Sequence, residues 1–215
     1  MGGLFLSGGG NAEQTREINE YFIQKIDSGK PLLYIPLAGD PEFRTYDRCL
    51  DYVKSMFNPL GASEIKMWTD LREKTFDDVM QFSAVYISGG DPMRILKKFK
   101  ETAFDEVLTH YHEAGGTIYG QSAGANILGK KITVMDDMEN GNLHALNLIN
   151  GHSVWCHYQE KSDLKLYEYV DGFDTHIIAI PEGTAVYATP QKLSVLGSNE
   201  AYFFENENKA LLEKI

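Results

Sequence analysis

Short apolar runs alternate with amphipathic segments through the first half of the chain. Leu4-Phe5-Leu6-Ser7, Leu32-Leu33-Tyr34-Ile35, Ile65-Lys66-Met67-Trp68, Val85-Tyr86-Ile87 and Thr117 to Gly120 are brief, and most are apolar throughout, which predicts buried strands. Between them apolar residues recur at helical spacing, first Ile18, Tyr21, Phe22 and Ile26, then Tyr46, Cys49, Leu50, Val53 and Phe57. Asn11, with Gln14 three positions on, reads as a capping box for the first helix. Asp91 as N-cap and Pro92 at the first helical position open a long helical region to about Ala114, which Gly115-Gly116 ends. This alternation implies right-handed βαβ units and a mainly parallel sheet with helices on both faces, a three-layer α/β fold.

The pattern changes after about residue 130. Ser153 to Cys156, Ile177 to Ile180, Thr184 to Ala188, Leu193 to Leu196 and Tyr202 to Glu205 are short strand-like runs, with one helix expected near Asp163 to Val170. Hairpins and edge strands fit that region. No linker, repeat or low-complexity tract interrupts the chain, so residues 1–215 read as a single domain. A chain of this length can bury about 70% of its unfolded surface.

Composition narrows the partners. Hydrophobic residues make up 43% and charged residues 24%, ordinary for a globular protein. The net charge of -11 argues against nucleic acid or an anionic membrane surface as a partner, because phosphate binding needs a basic face. No run reaches the roughly 18 apolar residues of a membrane span, and the segment before Leu4 lacks the basic flank of a secretory signal. Cys49 falls on an apolar helical stripe, and with Cys156 as its only companion there is no disulfide framework. The expectation is a cytoplasmic protein, monomeric or weakly dimeric.

Ligands in open α/β sheets bind beyond the carboxyl ends of the strands. Three glycine-rich corners, Gly8-Gly9-Gly10, Gly89-Gly90 and Gly120 to Gly124, lie at expected strand ends and should share one rim. Gly120-Gln121-Ser122-Ala123-Gly124 has the G-x-S-x-G spacing of a nucleophile elbow in its required strand-to-helix context, although a plain small-residue turn explains the same residues. Gly89-Gly90 suits a backbone donor that approaches a substrate carbonyl closely. Neither G-x-G-x-x-G nor a P-loop is present, which argues against a phosphate cradle.

A serine nucleophile needs a base, and the chain has six histidines. His110 and His112 lie near a helix end and read as solvated; His144 and His152 sit in polar loop sequence, and His176 starts a strand. His157 follows the run Ser153 to Cys156, so a rigid element would aim it. For the acidic orienter, Glu182 sits in the turn Pro181-Glu182-Gly183 after a buried strand, with Asp136-Asp137 as the competitor. No H-x-x-x-H or C-x-x-C spacing suggests a metal, and no cofactor is implied.

Taken in order, Ile87-Ser88-Gly89-Gly90-Asp91, Gly120 to Ala125, Cys156-His157-Tyr158 and Ile180-Pro181-Glu182-Gly183 resemble the S51 serine peptidases, the group of aspartyl dipeptidase and cyanophycinase. The resemblance runs from about Val85 to the C-terminus and implies a class I glutamine-amidotransferase-like fold. It implies that Ser122 is the nucleophile and His157 the general base, with Gly90 and Ala123 as oxyanion donors. Glu182 matches the third member's position, and Asp137 matches another acidic position of the dipeptidase. The implied activity is hydrolysis of short peptides. An esterase or amidase on the same site, or a non-catalytic binding module that keeps the elbow, are the alternatives. One departure stands out: the arginine that reads aspartate in the dipeptidase has no counterpart in Tyr158 to Leu164, where Lys161 is the cation.

Overall fold

The computed structural model describes residues 1–133, 144–173 and 175–215. The first half of the chain forms β1 (Leu4–Ser7), α1 (Arg16–Lys25), β2 (Leu32–Ile35), α2 (Tyr46–Phe57), β3 (Ile65–Met67), α3 (Phe76–Val79) and β4 (Ala84–Ile87). Then come α4 (Pro92–Glu101), α5 (Phe104–Glu113), β5 (Ile118–Gln121), α6 (Ala123–Asn126) and β6 (His152–Cys156). The remainder is α7 (Asp163–Phe173), β7 (His176–Ile180), β8 (Thr184–Ala188), β9 (Leu193–Gly197), β10 (Tyr202–Glu205) and β11 (Asn208–Leu211).

A seven-stranded sheet runs in the order β3-β2-β4-β5-β1-β8-β9. Strands β3 to β1 are parallel, and the hairpin β8–β9 adds an antiparallel edge. Alternate residues serve opposite faces. Leu33, Ile35, Val85 and Ile87 join Ile95, Phe99, Phe104 and Leu108 of α4 and α5. Leu32, Tyr34, Ala84 and Tyr86 join Ile18, Phe22, Val53 and Phe57 of α1 and α2. Because both faces are covered, most of these strands read as continuous apolar runs rather than alternating ones. The three-layer α/β architecture expected from the chain is the one it adopts. Among the described residues no helix is long and apolar enough to cross a membrane.

The second half meets the expectation of hairpins and edge strands only in part. It builds a separate four-stranded sheet, β11-β10-β7-β6, in which β6 and β7 are parallel and joined through α7. Val154, Ile178 and Ile180 reach the large core, while Trp155, Ile177 and Ala179 pack with Leu166 and Tyr169 of α7. Burial on both faces therefore favours a βαβ crossover. Only β8–β9 and β10–β11 are hairpins among the described residues.

The helical region from Pro92 is also two helices rather than one. The Thr102 hydroxyl donates to the carbonyls of Lys98 (2.8 Å) and Phe99 (3.2 Å), and Ala103 takes φ +53°. The break lets Phe104 pack edge-on against Phe99, with ring centroids 5.2 Å apart.

His112, expected in solvent, is 4% exposed, and its Nδ1 has no hydrogen-bond partner among the described residues. It lies four positions after Leu108 on the buried face of α5, whereas His110 is exposed as expected. Burial lowers its pKa below the ordinary 6.5. As pH falls through that ordinary value, the unfolded chain takes up a proton that the folded chain refuses, so folding weakens. His112→Leu should flatten the loss of stability between about pH 7 and pH 5, read as urea midpoints. An equal acid-induced drop in both proteins contradicts this.

Register brings the functional ends together. Ser7 pairs with Gln121, Ile87 with Gly120, and Cys156 with Ile180. The ends of β4, β5 and β1 are therefore level, and the residues after β6 and β7 emerge side by side.

Candidate active site

Ser122 stands alone between β5 and α6, at φ +51° and ψ -113°. A non-glycine residue in such a conformation costs roughly 1–3 kcal/mol, and its surroundings must hold it there. They do so through the backbone. Ser122 N–H donates to the Ser7 carbonyl (2.9 Å), and the Ser122 carbonyl accepts from Ala125 (2.8 Å) and Asn126 (2.9 Å). A Cβ on Gly120 would run into the Gly124 backbone, which explains the glycines flanking the serine. The side chain of Gln121 is clamped, accepting from Tyr86 Oη (2.5 Å) and donating to the Gly10 carbonyl (2.9 Å).

His157 follows β6 directly, also at positive φ (+54°). Its Nε2 accepts from Ser122 Oγ at 2.7 Å, and its Nδ1 donates to Oε1 of Glu182 at 3.0 Å. The neutral tautomer that satisfies both contacts carries its proton on Nδ1. Asn199 Nδ2 donates to the Glu182 carbonyl (2.8 Å), fixing the turn that presents the carboxylate. His157 and Glu182 edge an open groove of about 650 Å³, so the imidazole is reachable from solvent.

Three successive carbonyls at the end of β1 tie these residues together. Ser7 accepts from Ser122 N–H (2.9 Å), Gly8 from His157 N–H (3.0 Å), and Gly9 from Gly183 N–H (2.9 Å). The first glycine corner thus sets the spacing of serine, histidine and carboxylate. A Cβ on Gly9 would lie 2.5 Å from Cε1 and 2.9 Å from Nδ1 of the His157 ring, and its φ of +115° disfavours any other residue. Gly9→Ala should displace the imidazole and lower kcat by about 10²-fold, the usual effect of a displacement near 1 Å. Steady-state kinetics on a variant with an intact thermal transition checks this; an unchanged kcat contradicts it.

The other glycine corner completes the rim. A Cβ on Gly89 would meet Ser122 Cβ at 3.2 Å and Oγ at 3.7 Å, so the Gly89-Gly90 backbone lies against the elbow. Asp91 caps α4 by accepting from Met93 (2.8 Å) and Arg94 (3.3 Å) N–H groups. Ala123 N–H is at the first position of α6, where a helix has no internal acceptor. Beneath the elbow, Cys156 Sγ donates to the carbonyls of Ser122 (3.4 Å) and Ser7 (3.7 Å). Burial pushes its thiol pKa up, so no thiolate competes with the serine.

The structure thus brings Ser122, His157 and Glu182 into one hydrogen-bonded line, with Ala123 next to the serine in the chain and Gly89 against it. Gly90 follows Gly89, and a Cβ on it would face the Ala38-Gly39 backbone. Asp137 lies outside the described residues. His152 Nδ1 is engaged by the Ile149 carbonyl (2.7 Å) and His176 by Glu205 (3.2 Å). Sequence reasoning placed Gly8 and Gly9 on the rim but missed their tethering role, and it missed Gln121 and Asn199. Among the described residues no group of three or more His, Cys, Asp or Glu is arranged to hold a metal.

Comparison with known proteins finds a match to the model of peptidase family S51 over residues 4–196. The chain is 28% identical over 192 residues to peptidase E of Actinobacillus pleuropneumoniae serotype 5b, covering 83% of this chain and 80% of that protein. It is 31% identical over 188 residues to peptidase E of Shewanella amazonensis, covering 80% and 77%. A solved peptidase from an acI-B1 actinobacterium superposes with a TM-score of 0.79 at 20% identity, covering 100% of this chain and 95% of that one. That last likeness concerns the fold.

Proposed function

Since the chain belongs to peptidase family S51 and is a serine-type peptidase, we propose that it hydrolyses short peptides through an acyl-enzyme on Ser122. The observation that carries this reading is the continuous hydrogen-bonded line from Ser122 Oγ through His157 to Glu182. His157 Nε2 takes the hydroxyl proton as Oγ attacks the scissile carbonyl, and Glu182 steadies the imidazolium that forms. The backbone N–H groups of Gly90 and Ala123 receive the oxyanion, as the strand-end glycines and the helix N-terminus favour. The tetrahedral adduct collapses as His157 returns the proton to the leaving amine. Water then attacks the ester, with His157 again as base, and releases the acid.

Asp-Xaa specificity is not part of the proposal. The open groove is lined by Glu160, Glu182 and Glu200, with Lys214 as its cation and no arginine, so nothing in it offers the bidentate fork that carboxylate recognition favours.

The experiment that tests the assignment of the third member compares Glu182→Gln with Asp137→Asn. Glu182→Gln keeps the shape of the side chain but favours the wrong imidazole tautomer, and should lower kcat on the order of 10²–10⁴-fold. The range lies below that of a buried carboxylate because Glu182 is half exposed. Asp137→Asn should stay within about tenfold of wild type. The reverse ranking overturns the role given to Glu182.

A further inference from the structure

A second cavity, of about 300 Å³, shares no lining residue with the open groove and lies between the ends of β2 and β4 and helix α2. Resting on the peptidase reading above, we propose that it receives the side chain of the substrate residue that donates the scissile carbonyl, and that it selects a large apolar or aromatic one.

Position supports this first. Gly89, Gly90 and Gln121 form the cavity wall nearest the elbow, and a Cβ on Gly89 would stand 3.7 Å from Ser122 Oγ. A single glycine therefore separates the cavity from the nucleophile, and a side chain next to the attacked carbonyl can enter it. The volume is at the small end for ligand pockets, roughly 300–1,000 Å³, and suits one large side chain rather than a whole peptide.

The chemistry of the walls supports the apolar preference. Tyr34, Tyr52, Tyr86 and Val53 line the cavity, with Phe43 and Arg44 exposed at its edge. Tyr34 and Tyr86 are nearly buried and spend their hydroxyls on Ser88 Oγ (3.3 Å) and Gln121 (2.5 Å), so they form the floor, and the half-buried Tyr52 and Cys49 with Phe43 supply the apolar surface open to an occupant. Asp40, the carboxylate on the wall, is paired with Arg94 at 3.2 Å. The Arg44 guanidinium lies over the Tyr52 ring at 5.1 Å, where its flat face extends the aromatic surface. Phe43 is 92% exposed, a large apolar side chain that an apolar occupant would help cover.

The test is kcat/KM for short peptides that differ only in the acyl-side residue, comparing Phe, Leu, Ala, Asp and Lys. Phe and Leu should exceed Ala by roughly tenfold or more, with Asp and Lys at or below Ala. Cys49→Trp, which fills the cavity from α2, and Phe43→Ala, which trims its edge, should each lower the Phe-to-Ala ratio several-fold. That ratio is unmoved by a general loss of activity, and if Cys49→Trp fails to fold, the exposed Phe43→Ala decides. Best cleavage of the Asp peptide, or an unchanged ratio in the folded variants, overturns the proposal. Fluorophosphonate labelling of Ser122 separates the two levels of the argument. Labelling without an apolar preference sinks the pocket alone, whereas neither labelling nor cleavage sinks the peptidase reading and the pocket with it.

Discussion

Replacing Ser122 by alanine should lower kcat for peptide hydrolysis by about 10⁴–10⁶-fold, to the level that binding and oxyanion stabilisation alone sustain. Alanine keeps the Cβ and the same demand on the backbone at φ +51°, so the turn is no more strained than before. What is lost is one oxygen atom, 2.7 Å from the imidazole that would accept its proton. Because the Ser122 backbone is held by Ser7, Ala125 and Asn126, the thermal midpoint of the variant should stay close to wild type. Measuring kcat together with the melting transition separates chemistry from folding. Substantial hydrolysis by a folded Ser122→Ala protein is incompatible with an acyl-enzyme at this position.

His157→Asn should be nearly as damaging, by about 10³–10⁶-fold in kcat. Asparagine is the appropriate replacement because the residue sits at φ +54°, a left-handed conformation that Asn tolerates better than most residues. The variant retains the N–H that donates to the Gly8 carbonyl, so the segment keeps its anchor to β1. It removes the Nε2 acceptor and with it the proton shuttle. Nucleophile, base and orienter act as a unit, so the Ser122→Ala, His157→Asn double variant should be little worse than either single one. Additive losses would mean that the two residues work independently, contrary to their direct hydrogen bond.

Ser122, His157 and Glu182 were legible because each closes an apolar run, and a polar residue there is aimed by the element before it. The order of the runs also indicated a parallel sheet. Periodicity reports burial but not pairing partners, so the βαβ unit of β6, α7 and β7 was hidden. Its strands are apolar on both faces, one set meeting the main core and the other α7. The tether from Ser7, Gly8 and Gly9 was illegible for a different reason. Backbone carbonyls carry no residue signature, and only folding sets three of them opposite Ser122, His157 and Gly183. His112 did carry a signal, four positions after Leu108, but its polarity outweighed the spacing. Asn199 and Gln121 act through hydrogen bonds that need the tertiary structure to be seen.

The central claim is that Ser122 is a nucleophile activated by His157. Its most direct test is covalent labelling of the purified protein with a fluorophosphonate, followed by intact-mass analysis and peptide mapping. The predicted result is one adduct per chain on Ser122, abolished in Ser122→Ala and strongly slowed in His157→Asn. A folded wild-type protein that takes no label, or takes it on a residue other than Ser122, would contradict the account.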